Sequence, residues 1–161
     1  METLAQKEGE MVAIFKAIKG VLTQGARSAN STGNCKYRGN NNHKCAVGFL
    51  IEDEYYYPDL EAYIPGQSIA DTENLNVALE KSNNIRMTQE FAYTLSNLQE
   101  CHDDCSVYVP FQPLRKELNP AEFRAMFIEK ILCRIHDEIL PAYCADAIEE
   151  WKVENPELCS K

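Results

Sequence analysis

Two cysteines ten residues apart, Cys35 and Cys45, bracket the stretch "CKYRGNNNHKC", and a second pair, Cys101 and Cys105, encloses His102, Asp103 and Asp104 in "CHDDC". Cysteine and histidine are the ligands a structural or catalytic zinc ion prefers, and Cys35, Cys45, Cys101, His102 and Cys105 could together supply four of them. The chain has no paired Cys-x-x-Cys knuckles, which favours the alternative that these thiols pack as small apolar side chains. The same residues also suggest nucleophilic chemistry: Cys45 as nucleophile, His102 as its base, Asp103 behind the histidine, with Lys44 and Arg38 lowering the thiol pKa. Adjacent residues on a helix point about 100° apart, so Asp103 is expected to be poorly placed to orient His102. His102 then reads as the polar end of an apolar stripe, satisfied by a backbone carbonyl.

A third chemistry is anion binding. Arg27, Lys36, Arg38 and Lys44 lie in a tract that also holds Tyr37 and leads into Tyr55, Tyr56 and Tyr57. Guanidinium groups pair bidentately with phosphate and tyrosine rings offer a stacking face, so a nucleotide-like ligand would find suitable groups in Arg27, Tyr37, Arg38, Lys44 and Tyr55. The alternative is a basic surface that pairs with carboxylates, either of this chain or of a second copy. His136 and Asp137 repeat the His-Asp pair, but His136 borders an apolar helical face and reads as structural. Cys133, Cys144 and Cys159 have no partner spacing.

These groups must be held by elements that the pattern of apolar residues describes. Met11, Ile14, Phe15, Ile18, Val21 and Leu22 recur at steps of three and four, which predicts a helix over roughly 4–25 closed by Gly25. "SANSTGN" reads as loop, and "CKYR" and "KCAVGFLI" around the Gly- and Asn-rich turn predict a β-hairpin that would set Cys35 and Cys45 nearly opposite each other. Residues 52–70, with Pro58, Pro65 and Gly66, read as a long irregular connection. Asp71 or Thr72 can cap a short helix burying Leu75, Ala78 and Leu79; Thr88 opens a longer one whose stripe of Phe91, Leu95 and Leu98 reaches His102 and which should end near Asp104. After the extended "SVYVPFQP", Asn119 and Pro120 start a helix with Phe123, Phe127, Ile131, Ile135 and Ile139 at steps of four, Ile128 and Leu132 widening its apolar face. Pro141 breaks it, and residues 142–154 form a last helix packing Cys144, Ala147, Ile148 and Trp151.

At 161 residues and 45% hydrophobic content the chain suits one domain of mainly helical α+β class, four or five helices packed around a small β-hairpin. Within it, a basic helix-hairpin module (4–58) adjoins an acidic helical body (71–155). Residues 11–51 contain six bases and no acid, whereas residues 61–161 hold 18 acids against 9 bases, so the net charge of −9 originates in the second part. That balance argues against sequence-independent nucleic-acid binding. The N-terminus has charges where a signal peptide needs an apolar core, and no apolar run approaches the length of a membrane span, so a cytoplasmic protein is expected. Seven cysteines at irregular spacing fit reduced thiols better than a disulfide framework.

The motifs "QGARS" at 24–28, "CKYRGNNNHKCAVGFLI" at 35–51 and "LSNLQECHD" at 95–103 resemble those of a group of small proteins encoded by bacteriophages and prophages, over about a third of the chain. The shared elements are Cys-x-Tyr-Arg, Lys-Cys-Ala-Val-Gly-x-Leu-Ile and Leu-Gln-x-x-His-Asp. This chain has "NNNH" where the related proteins place a second glycine before the Lys-Cys pair. The resemblance implies that Cys35, Tyr37, Arg38, Lys44, Cys45, His102 and Asp103 form one spatial cluster. It brings no activity with it. The expected role is a small phage-type accessory protein that binds stoichiometrically to a host protein or defence complex and inhibits it. The alternatives are sequestration of a nucleotide-like signal by the basic tract, or a Cys/His-dependent hydrolase or transferase. A second copy of the chain is a further candidate partner.

Overall fold

The computed structural model describes residues 2–62, 68–111 and 115–159. Helix α1 (Leu4–Gln24) opens on the Thr3 hydroxyl, which accepts the Gln6 N–H, and closes at Gly25, whose φ of 65° is the left-handed conformation glycine adopts without strain. Helix α1 is the central element of the core: Ile14, Ala17, Ile18, Val21 and Leu22 are fully buried. Met11, expected on that stripe, is 38% exposed, and Phe15 is only partly covered; the small residues Ala13 and Ala17 occupy the close approach instead.

Helix α2 (Glu73–Asn83) buries Leu75, Ala78 and Leu79 and ends at Asn84, also left-handed. Helix α3 (Gln89–Asp103) is capped by Thr88, whose side chain accepts the Phe91 N–H, and its buried stripe runs from Phe91 through Leu95 and Leu98 to Cys101 and His102. Helix α4 (Pro120–His136) starts at a complete capping box of Asn119 and Glu122 with Pro120 in the first turn. Helix α5 (Tyr143–Glu154) buries Cys144, Ala147, Ile148 and Trp151, and a single turn, α6 (Pro156–Cys159), follows. Helices α4 and α5 close the end of α1: Arg124 donates to the carbonyls of Leu22 and Thr23, and the Trp151 indole N–H donates to the Thr23 hydroxyl at 3.0 Å.

The fold is mainly helical with a small antiparallel sheet, but the sheet is not where the sequence placed it. The described strands are β1 (Ser106–Val107) and β2 (Lys116–Glu117), paired antiparallel, in the region read only as extended; Gln112 and Pro113 of that stretch lie outside the described residues. In the expected hairpin one isolated bridge forms, between Arg38 and Lys44, around a 3-10 turn in which Asn41 and Asn42 take φ of 59° and 58°. The turn chemistry is as expected, yet the arms diverge: Cys35 bridges Ala29 instead of facing Cys45, and "GFL" coils into a 3-10 turn over Gly48–Leu50. Segment 52–70 is also less irregular than expected, with short turns at Asp53–Tyr55, Pro58–Glu61 and Ile69–Asp71; Pro65 and Gly66 lie outside the described residues.

Two expectations for α4 fail. The helix stops before Ile139, because Glu138 turns left-handed at φ 59° and the N–H groups of Ile139 and Leu140 both close on the Arg134 carbonyl. Leu132 does not widen the core face; it is 45% exposed. No helix among the described residues is long and apolar enough to cross a membrane.

Candidate functional site

The three motif stretches meet where the loop after α1 crosses the C-terminal end of α3, and side-chain to backbone hydrogen bonds hold the crossing. Gln24 mimics a strand partner: its Oε1 accepts the Lys44 N–H at 2.7 Å and its Nε2 donates to the Lys44 carbonyl at 2.9 Å. Gln99 accepts the Val47 N–H and donates to Asp103 Oδ1 at 2.6 Å. The Glu61 carboxylate takes the N–H groups of Tyr37 and Arg38 together with the Tyr56 hydroxyl. Gly48 is required by contact: a Cβ there would stand 2.0 Å from the Tyr37 carbonyl oxygen. These bonds satisfy backbone groups that a regular hairpin would have paired with one another.

His102 is fully buried at the centre of the crossing. Its Nε2 lies 3.0 Å from the Ser28 backbone N–H and its Nδ1 lies 2.8 Å from Asp103 Oδ1. A backbone N–H can only donate, so Nε2 must be the unprotonated nitrogen and the proton sits on Nδ1, donated to Asp103. The expectation that Asp103 is poorly placed to orient His102 is therefore corrected. Asp103 is the last residue of α3, and Gln99 swings its carboxylate back over the ring. The satisfied-histidine reading also needs adjustment, since the partner of the far nitrogen is an N–H and not a carbonyl.

Cys35, not Cys45, is the thiol beside this pair: Cys35, His102 and Asp103 present ligand atoms within 4.8 Å of one another. The buried Arg27 guanidinium donates to Cys35 Sγ at 3.3 Å, to the carbonyls of Gly33 and Asp103, and to Glu117 at 2.6 Å. Burial pushes the Cys35 thiol up to about 12, aided by the Asp103 charge and opposed by Arg27. Cys45 is fully buried, its sulfur accepts the Gly48 N–H, and burial drives its pKa still higher. Both thiols stay protonated at neutral pH, the opposite of what a nucleophilic cysteine needs. Cys101 and Cys105 are buried one helical turn apart, with Cys105 Sγ donating to the Cys101 carbonyl. They do not join Cys35 and Cys45, so the five-residue zinc set is not assembled among the described residues. The remaining cluster suits a cation poorly, because one nitrogen of His102 carries a proton, the other is occupied by Ser28, and Arg27 places a positive charge on the cysteine.

The anion-binding residues are likewise engaged within the chain. Arg38 pairs with Asp53 at 2.7 Å, donates to the Ile51 carbonyl and stacks 4.1 Å from the Tyr56 ring centroid. Lys44 lies 3.9 Å from the same Asp53, and Tyr55 faces the Lys81 ammonium. Tyr37 lines a cavity of about 470 Å³ with Cys35, Cys45, Glu61, Gln99 and Asp103, and burial raises its phenol pKa. Lys36 shares that wall with the Glu61 and Asp103 carboxylates, so its charge is not that of a basic anion pocket. Among the engaged bases, Arg27 and its Glu117 partner join the basic tract to β2. Sequence reasoning missed Gln24, Ser28 and Gln99, whose only signal was their presence inside the motifs, and Glu61, which lies outside them. Comparison with known proteins returned no matching family model, no matching curated protein and no matching solved structure.

Proposed function

We propose that the protein is a small cytoplasmic accessory protein of phage type that acts by stoichiometric binding, its acidic surface covering a basic face of a host or defence protein. The observation that carries this reading is the fate of the bases. Of the six in residues 11–51, five meet carboxylates of the same chain: Lys16 with Glu52, Lys19 with Glu150 and Glu154, Arg27 with Glu117, Arg38 and Lys44 with Asp53. What faces outward is the excess of acid. Asp146 and the 81% exposed Val153 share one stripe of α5 with Glu149, which pairs with Lys152 at 2.8 Å, and Glu138 and Glu157 are exposed in the segments before and after that helix. A charged rim around an apolar residue suits protein association better than catalysis. The protonated thiols and the doubly bonded His102 leave the motif cluster without the cysteine nucleophile and histidine base that the enzyme reading needs.

Long-range attraction to a basic partner speeds association and weakens with salt. The test is co-purification, without cross-linking and over a series of salt concentrations, of the partner from host cells expressing either the native chain or the variant Glu138→Lys, Asp146→Lys, Glu157→Lys. The native chain should retain its partner at low salt and lose it as salt rises, and the variant should fail to retain it while keeping its helical circular dichroism. Retention undiminished by the charge reversal overturns the reading.

A further inference from the structure

The exposed side of α4 repeats at heptad spacing: Ala121, Ala125, Ile128, Leu132 and Ile135 follow one another at steps of four, three, four and three. This stripe borders Phe123, Phe127 and Ile131, which face the core, and its Ile128 and Ile135 are themselves partly packed against that core. Ala121, Ala125 and Leu132 are exposed, Ile128 and Ile135 half-buried. A surface depression of about 490 Å³ is lined by Ala125, Ile128, Glu129 and Leu132, at the spacing of the four residues that receive a knob in helix pairing, and continues over Cys133, His136 and Asp137.

The order of sizes along the stripe selects the occupant. Small residues lie at its N-terminal end and large ones at its C-terminal end. Reversing a second copy of α4 about a two-fold axis near Ile128 sets Ala121 against Ile135 and Ala125 against Leu132, with Ile128 meeting itself. Every large side chain then faces a small one, as an isologous contact requires. A parallel pairing would stack alanine on alanine and leave voids. The flank agrees: Glu122 and His136 lie on the same side of the stripe at its two ends, and the reversal brings each Glu122 to His136 of the second copy.

We infer that α4 is a self-association surface, on which two copies of this chain pair antiparallel with Leu132 of each seated over Ala125 of the other. A seam along a helix of about 25 Å buries on the order of 700 Å² in total, below the standard size of a stable complex. The dimer is therefore weak and concentration-dependent. Each copy has a net charge of −9, and Glu129 sits near the axis. Salt consequently strengthens this pairing, whereas it weakens the binding proposed above, so the two readings fail separately.

The test is sedimentation equilibrium from about 5 to about 300 μM protein, at about 20 and about 300 mM salt. The native chain should shift from monomer toward dimer with concentration, more so at high salt. Leu132→Glu should weaken the dimer at least about tenfold. Ala125→Leu makes the face more apolar but fills the hole, and should also weaken it. The double variant Ala125→Leu, Leu132→Ala exchanges knob and hole and should restore dimerisation. These positions are exposed, so unchanged melting temperatures will show that the variants fold. A monomer throughout, a dimer indifferent to Leu132→Glu, a tighter dimer in Ala125→Leu, or a double variant that stays monomeric would each overturn the inference.

Discussion

Four buried thiols and the half-buried Cys35 make the fold sensitive to alkali by an amount the structure sets. Burial holds Cys101 at about 11, Cys35, Cys105 and Cys144 at about 12, and Cys45 higher still, against an ordinary value of 9.0. Between these limits the unfolded chain has released protons that the folded chain keeps, so the unfolded state binds fewer protons and stability falls as pH rises. The contribution is complete below pH 9 and disappears progressively above it. At roughly pH 9.5 each thiol costs about 0.8 kcal/mol, and because every folded value lies well above that pH, the cost depends only on the unfolded one. Five thiols give about 4 kcal/mol, a large fraction of the roughly 5–15 kcal/mol that holds a domain of ordinary stability. Urea unfolding followed by circular dichroism in a thiol-free reductant, at roughly pH 7.5 and 9.5, reads the difference before most lysines titrate. Cys144→Ala should lower the starting stability and flatten the pH dependence by about 0.8 kcal/mol. Equal stability at the two pH values would refute the reasoning, and with it the argument that Cys35 and Cys45 are too protonated to act as nucleophiles.

Other consequences follow from the motif cluster. At roughly pH 8 the Cys35 thiolate population is about a thousandfold below that of an ordinary thiol, so iodoacetamide labelling resolved by mass spectrometry should modify Cys133 and Cys159, which are exposed, well before Cys35. His102→Ala leaves the Ser28 N–H buried without an acceptor and opens a cavity; a loss of about 3 kcal/mol in chemical denaturation is expected, and a loss below about 1 kcal/mol would deny His102 its structural role. Gly48→Ala must push the Tyr37 carbonyl away and should cost about 2 kcal/mol or more, measured the same way. Arg38→Ala removes the Asp53 pair and the Tyr56 stack, and should cost about 1–2 kcal/mol of stability, read as a lower melting temperature with no ligand present.

The helices were legible because their signals are local. Thr88, Asn119 with Glu122, Gly25 and Pro120 each act within a few residues of the boundary they set, and the apolar period reports which face is inward. The crossing was half legible. Its members were named by their motifs, but the bonds that shape it join Gln24 to Lys44, Glu61 to Tyr37 and Arg38, Gln99 to Val47 and His102 to Ser28 across 20 to 74 residues. A turn sequence can predict a reversal, as Asn41 and Asn42 did, but it cannot show that the arms will be paired with glutamine and glutamate side chains instead of with each other. Leu132 of α4 was misread for a related reason, although Ile128 and Ile135 do pack against the core. Periodicity identifies an apolar position without saying what covers it, and Leu132 was assigned to a core that Ile131 already fills.

The arrangement also bears on how charge should be read in this chain. Acid and base are segregated along the sequence, which suggests two surfaces of opposite sign. Folding brings them together instead, with Lys19 reaching Glu150 and Glu154 at the far end of the chain and Arg27 reaching Glu117. Arg27 is the telling case. Its side chain is 4% exposed, and burial alone would disfavour its charge, but Glu117 and Cys35 outweigh that and hold its pKa above the ordinary value. A guanidinium so enclosed cannot also meet a phosphate without losing contacts made only in the folded chain. The motif with the strongest appearance of a ligand site is thus where the chain ties its basic front to its acidic body. The two surfaces proposed above for recognition, the acids of α5 and the heptad face of α4, both lie outside that tie.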